Sequence, residues 1–148
     1  MLAGLAGSGA SPARMAVNVA MPQLRDPGFV AMIERTLRRH GLEGDRLELE
    51  ITESIAMDEA RALRRSLEHL RAIGVRVAID DFGTGYSSLA QLRELPVDAL
   101  KIDRRFVSGR EEGPDEAFVE CIVGLARRLG LATVADVQRS LGELEDAR

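Results

Sequence analysis

The 148-residue sequence has no tryptophan, one tyrosine, four phenylalanines and a single cysteine. With Cys121 alone, no internal disulfide can form, which sets aside disulfide-stapled secreted scaffolds and suits a reducing compartment. Among apolar neighbours, Cys121 reads as a buried core residue. No apolar run approaches the roughly 18–20 residues that a membrane-crossing helix needs. The opening MLAGLAGSGASPARMA has no charged start before its short apolar stretch. It therefore reads as a frayed start over residues 1–14 rather than a secretion signal, and a cytoplasmic setting is expected. No glycine-rich phosphate loop opens the first structural unit, which weakens a dinucleotide-binding fold. Histidine is scarce too: His40 and His69 fall in helical stretches as solvated residues, leaving no zinc-type cluster. The net charge is −4 and the arginines are spread along helical faces, so no positive field recruits a nucleic-acid polymer.

What the sequence does contain is alternation. Short aliphatic runs at Met15–Val19, Leu47–Ile51, Val75–Ile79, Ala99–Ile102 and Ala132–Ala135 predict strands buried on both faces. Between them the spacing predicts helices. One spans Pro27–His40 and stops at Gly41; another spans Asp58–Ile73 and stops at Gly74. A third covers Ser87–Glu94, ended by Leu95-Pro96, and a fourth begins at Pro114 and ends at Gly130. Ser140 and Glu143 suggest a capping box for a final turn. Repeated strand–helix units imply a parallel sheet in an α/β fold, either open and doubly wound or a (β/α)8 barrel.

The polar residues sit where such folds do chemistry. Asn18 lies in the first run, Glu50 and Glu53 in and after the second, Asp80-Asp81 after the third. Lys101 and Asp103 belong to the fourth, and Asp136 follows the fifth. In parallel α/β folds the C-terminal strand ends share one face, where catalytic groups gather. Carboxylates gathered there repel unless a cation neutralises them, and hard oxygen donors suit Mg2+ or Mn2+. Adjacent Asp80 and Asp81 are placed to serve two ions about 3.5–4 Å apart, the arrangement used for phosphoester displacement. Singly, each acid has an ordinary explanation: Glu48 and Glu53 as partners of arginine, Asp80-Asp81 as a turn opener, Asp103 paired with Arg104 or Arg105. Lys101 is the sole lysine among twenty basic residues, a hint that an amine is required there.

Three segments carry a resemblance. Glu50-Ile-Thr-Glu53, Asp80-Asp-Phe-Gly-Thr-Gly-Tyr-Ser-Ser-Leu89 and Leu95-Pro-Val-Asp-Ala-Leu-Lys-Ile-Asp103 resemble the EAL domain, and Val17-Asn-Val19 with Gln23-Leu24 resembles its asparagine strand. The similarity covers about residues 16–136. It implies a (β/α)8 TIM-type barrel that hydrolyses cyclic di-GMP to pGpG with two Mg2+ or Mn2+ ions. Carried over, Asn18, Glu50 and Asp80 are metal ligands and Asp81 the ligand of the second ion. Lys101, Asp81 and Asp136 form the catalytic set, with Lys101 holding the attacking water or neutralising charge. Glu53 anchors the Phe82–Leu89 loop, through which a homodimer or partner chain is expected.

The sequence also departs from the family. The Glu-Ala-Leu strand, a source of one metal ligand, does not occur, and the chain is expected to begin too late for it. Where the family has Val-Ala-Glu-Gly-Val-Glu, this sequence reads Val134-Ala-Asp136-Val-Gln-Arg139. About five of eight strands are expected, against about 250 residues for a whole barrel, so residues 15–148 read as a truncated EAL domain. Loss of a ligand from a two-metal site removes several kcal/mol of transition-state stabilisation. Impaired turnover by this chain alone is the expectation, with a non-catalytic nucleotide-binding or protein-interaction remnant as the alternative.

Overall fold

A computed structural model describes residues 14–58, 60–85, 89–108 and 115–135. The strands are β1 (Met15–Asn18), β2 (Leu47–Thr52), β3 (Arg76–Phe82), β4 (Ala99–Ile102) and β5 (Ala132–Ala135). The helices are α1 (Met21–Arg25), α2 (Phe29–Arg39), α3 (Glu53–Asp58), α4 (Ala60–Ala72), α5 (Leu89–Glu94), α6 (Arg104–Ser108) and α7 (Glu116–Leu129). The five strands form one parallel sheet in the order β1-β2-β3-β4-β5. A doubly wound sheet reverses direction at a switch point; this one never does. Sequential parallel strands with helices between them are a partial (β/α)8 barrel.

Register separates the two faces. Asn18 pairs with Glu50, and Glu50 with Ala78, while Glu48 faces Arg76 and Thr52 faces Asp80. With alternation of side chains along each strand, these residues share the inner face with Ala99 and Lys101. The other face carries Leu49, Ile51, Val77, Ile79, Leu100 and Ile102, all buried. Against it pack Leu63, Leu67 and Leu70, the single apolar stripe of α4. Each such side chain contributes roughly 1.5–3 kcal/mol on burial. That is what holds the sheet in place beneath a polar inner face.

Helix ends follow their local chemistry. Val75 N–H returns to the Leu70 carbonyl across Gly74, whose φ is +84°, closing α4. The Asp115 side chain accepts from Phe118 N–H at 3.0 Å and caps α7, which begins at Glu116, two residues beyond the expected Pro114.

Several expectations need adjusting. Cys121 is exposed rather than buried: the buried stripe of α7 runs through Ile122 and Ala126, and Cys121 sits beside it. Helical structure also begins at Glu53, directly after β2, ahead of the helix expected from Asp58. β3 continues past Ile79 to Phe82. The expected cap at Ser140 and Glu143 lies outside the described residues, as does most of the residue 1–14 segment. Among the described residues no helix is long and apolar enough to cross a membrane.

Candidate metal centre

Three neighbouring strands bring the oxygen donors together. Asn18 and Glu50 are register partners on β1 and β2; Asp80 lies one rung beyond Glu50 on β3. Lys101 of β4 reaches back over the sheet, placing Nζ 2.9 Å from Glu50 Oε1 and 3.7 Å from Asp80 Oδ1. Glu50 is 6% exposed, so its charge depends on a partner. The ammonium provides one, and the trio of Glu50, Asp80 and Lys101 still carries one net negative charge.

The β3–β4 ladder explains how adjacent aspartates come to share this end of the sheet. Ala78 pairs with Ala99 and Ile79 with Leu100, but the next pairing is Phe82 with Ile102. Asp80 and Asp81 together face Lys101, a β-bulge, and Asp81 takes a left-handed φ of +54°. The bulge sets two residues of β3 against one of β4, so strict alternation does not hold across Asp80 and Asp81. Asp81 is exposed at the rim.

Glu53 organises the loop beyond. It is 2% exposed, and its Oε2 accepts from the backbone N–H groups of Gly83, Thr84 and Gly85 at 2.9, 3.1 and 3.1 Å. Gly83 has φ +102°, and a Cβ there would lie 2.8 Å from the Phe118 ring. Phe118 in turn packs on Phe106, ring centroids 4.3 Å apart. The loop is thus held by a carboxylate on one side and an aromatic pair on the other. Residues 86–88 of that loop, and Asp136, lie outside the described residues.

At the end of β4, Asp103 Oδ1 accepts from Arg105 N–H at 2.7 Å; Oδ2 accepts from Arg105 Nε and Nη2 at 3.2 and 3.1 Å. Burial pushes the Asp103 carboxyl up, yet the Arg105 hydrogen bonds and charge outweigh it and hold it below the ordinary value. The adjacency of Asp103 and Arg105 was the only sequence signal for this pair.

The family model for the EAL domain matches residues 1–139. The chain belongs to the EAL domain family. It is 47% identical over 123 residues to the bifunctional diguanylate cyclase/cyclic di-GMP phosphodiesterase MucR of Pseudomonas aeruginosa, covering 82% of this chain and 18% of MucR. The MucR phosphodiesterase solved with c-di-GMP superposes with TM-score 0.78 at 44% identity, over 89% of this chain and 59% of that one. The EAL domain of Mycobacterium smegmatis DcpA gives 0.76 at 43% identity, over 82% and 55%. Klebsiella pneumoniae BlrP1, solved with manganese and cyclic di-GMP, gives 0.73 at 32% identity, over 82% and 32%. This EAL chain therefore spans under a fifth of MucR and about three fifths of its solved phosphodiesterase.

The donor chemistry of this EAL site fits a hard divalent cation. The side chains of Asn18, Glu50 and Asp80 all offer oxygen from adjacent strands, and the net negative charge favours a cation. Among the described residues no three His, Cys, Asp or Glu side chains gather closely enough to hold a metal by themselves. Asn18 and the Lys101 ammonium complete the picture: a cation entering here competes with Lys101 for Glu50. That pairing was absent from the expectation, which gave Lys101 to the attacking water or to developing charge.

Proposed function

We propose that this EAL domain acts in cyclic di-GMP signalling, as a Mg2+- or Mn2+-dependent phosphodiesterase that cleaves cyclic di-GMP to pGpG. The observation that carries the reading is the Glu50–Lys101–Asp80 cluster at the C-terminal strand ends of an EAL sheet. Asn18, Glu50 and Asp80 hold the first ion in this reading, and Asp81, projected by the bulge, holds the second. Bound divalent ions supply a more acidic water and neutralise charge on a phosphoryl oxygen. The chain's own part is positional. Glu50 and Asp80 keep Lys101 at the site, where its ammonium lies ready to hold a water or a developing negative charge. Glu53 fixes Gly83–Gly85 at the rim, and Asp136 completes the catalytic set.

Incubation of the chain with cyclic di-GMP and Mn2+, followed by chromatography, tests this. Slow formation of linear pGpG is expected from this chain alone, lost in Asp80→Asn and Lys101→Ala. Uncleaved cyclic di-GMP after hours at micromolar protein would overturn the hydrolytic reading.

A second reading, binding without turnover, is favoured by the Lys101–Glu50 contact at 2.9 Å, which occupies the oxygen a metal requires. Calorimetric binding of cyclic di-GMP with no pGpG formed selects it. Both readings place the chain in the cytoplasm, with self-association through the Phe82–Leu89 loop and no nucleic-acid polymer as partner. Sedimentation of Glu53→Ala against the parent chain tests the loop's part: unchanged self-association removes it.

A further inference from the structure

Arg105 stands at the rim of the candidate centre without a place in the reading so far. Lys101 lies on the inner face of β4, and Asp103 follows directly after the C-terminal end of that strand. The Asp103 carboxylate, 13% exposed, holds the Arg105 guanidinium by Nε and Nη2; the arginine side chain is 71% exposed. Among the described residues the Nη1 edge has no hydrogen bond or ion pair. Asp103 raises the Arg105 guanidinium above its ordinary value by hydrogen bond and charge, and the charge of exposed Asp81 adds to it.

The turn beneath Arg105 is fixed. Phe106 N–H donates to the Asp103 carbonyl at 3.1 Å, and the Phe106 carbonyl accepts from Asp115 N–H at 3.1 Å. The Phe106 ring lies against Phe118 and close to Gly83. A flexible arginine loses much rotamer freedom when it grips an anion; one already clamped by a carboxylate and a pinned turn loses less. Arg71 and Arg76 of the opposite rim meet their acids only at 3.7 Å, whereas the Arg105 guanidinium is hydrogen-bonded by two of its nitrogens and still largely exposed.

We propose that Arg105 is a substrate-holding residue, its Asp103-fixed guanidinium donating to a phosphate of the cyclic dinucleotide while the acidic cluster faces the cation. The inference rests on the cyclic di-GMP reading above. It assigns Asp103 a positioning part, acting through Arg105 rather than on the substrate.

Calorimetry with cyclic di-GMP, in Ca2+ buffer, on the whole chain separates the two levels. Charge-assisted hydrogen bonds to phosphate predict about 10- to 100-fold weaker binding for Arg105→Ala. Arg105→Lys keeps the charge without the fork and loses about 3- to 10-fold. Asp103→Asn falls between the parent and Arg105→Ala, and the double variant matches Arg105→Ala alone. Arg93→Ala, exposed near Arg71 and Asp98 on the opposite rim, binds like the parent. If the parent chain does not bind, the cyclic di-GMP reading falls and this inference with it. If the parent binds and Arg105→Ala binds equally well, only the inference on Arg105 is overturned. Arg105→Gln, measured well below its melting midpoint and with the circular dichroism of the parent, guards against a folding artefact.

Discussion

The two rims of one sheet use charge in opposite ways. At the N-terminal rim, Glu48 lies 3.9 Å from Arg14 and 3.7 Å from Arg76. Asp98 there accepts from Val77 N–H and pairs with Arg71 at 3.7 Å. Each of these two acids has arginine beside it. At the C-terminal rim, Glu50, Asp80, Asp81 and Asp103 have Lys101 and Arg105 among them, while Glu53 is satisfied by backbone donors. The same strands, a few residues apart, thus end in a neutralised rim and an acid-rich one. Self-neutralised charge serves the fold; an excess of one sign waits for something of the other.

The sharpest way to break that contrast is to remove one cation from each rim. Lys101→Met leaves the buried Glu50 carboxylate unpaired, and we expect a loss of about 3–5 kcal/mol in EDTA. For a chain of this size the thermal midpoint falls by about 10–15 °C. Mn2+ is expected to restore much of it, because an ion bound only by the folded state stabilises by mass action. Arg71→Met, on a half-exposed pair, costs under about 1 kcal/mol and does not respond to Mn2+. Equal losses at both rims would abolish the distinction.

Next in size is the loop at the acid-rich rim. Glu53→Ala takes the carboxylate acceptor from three backbone N–H groups, of which Thr84 keeps a longer bond to the Asp81 carbonyl, and about 2–3 kcal/mol is expected to go. Hydrogen exchange at Gly83, Thr84 and Gly85 reads it directly, while the Asp98–Val77 amide at the other rim stays protected. Gly83→Ala forces a left-handed alanine against the Phe118 ring and costs about 1–3 kcal/mol by urea unfolding. Gly124→Ala, in open space on α7, gains about 0.5–1 kcal/mol. A silent Gly83→Ala would mean that the aromatic pair does not brace the loop.

Much of this was legible in the residues, for physical reasons. β4 and β5 have their expected bounds because Ala99–Ile102 and Ala132–Ala135 are short aliphatic runs closed by polar neighbours. The long helices announced themselves by apolar spacing and by glycine at their ends. The short helices α1 and α6, of five residues each, and α3, of six, did not. They are too brief to show a period and are imposed by the turns between strands and longer helices. Strand order and inner-face parity came only with register. The β3 bulge had no sequence signature beyond two consecutive aspartates, which equally describe a turn. Nor did composition reveal that Lys101 spans Glu50 and Asp80, since that contact crosses three strands. Asp103 with Arg105 was weighed as an ordinary pair; its position at the rim is what gives it interest.

The smallest expected effect tests whether Asp103 belongs to the acid-rich rim as a held charge. Its folded pKa lies below the ordinary 3.8, because Arg105 hydrogen bonds and charge overcome the opposing effect of burial. A depressed carboxyl stabilises the fold fully above its unfolded pKa. That contribution is lost as pH falls from about 3.8 toward the folded value, where the unfolded chain binds the proton first. Stability should therefore decline with acid over that window more steeply in the parent than in Asp103→Asn. Arg105→Gln should flatten the same limb, and the double variant should add nothing, because both changes delete one interaction. Urea midpoints measured from pH 5 down to pH 3 decide it. An acid limb unchanged by either substitution would show that the Asp103–Arg105 contact carries no stability, and would leave the rim's charge to Glu50, Asp80 and Asp81.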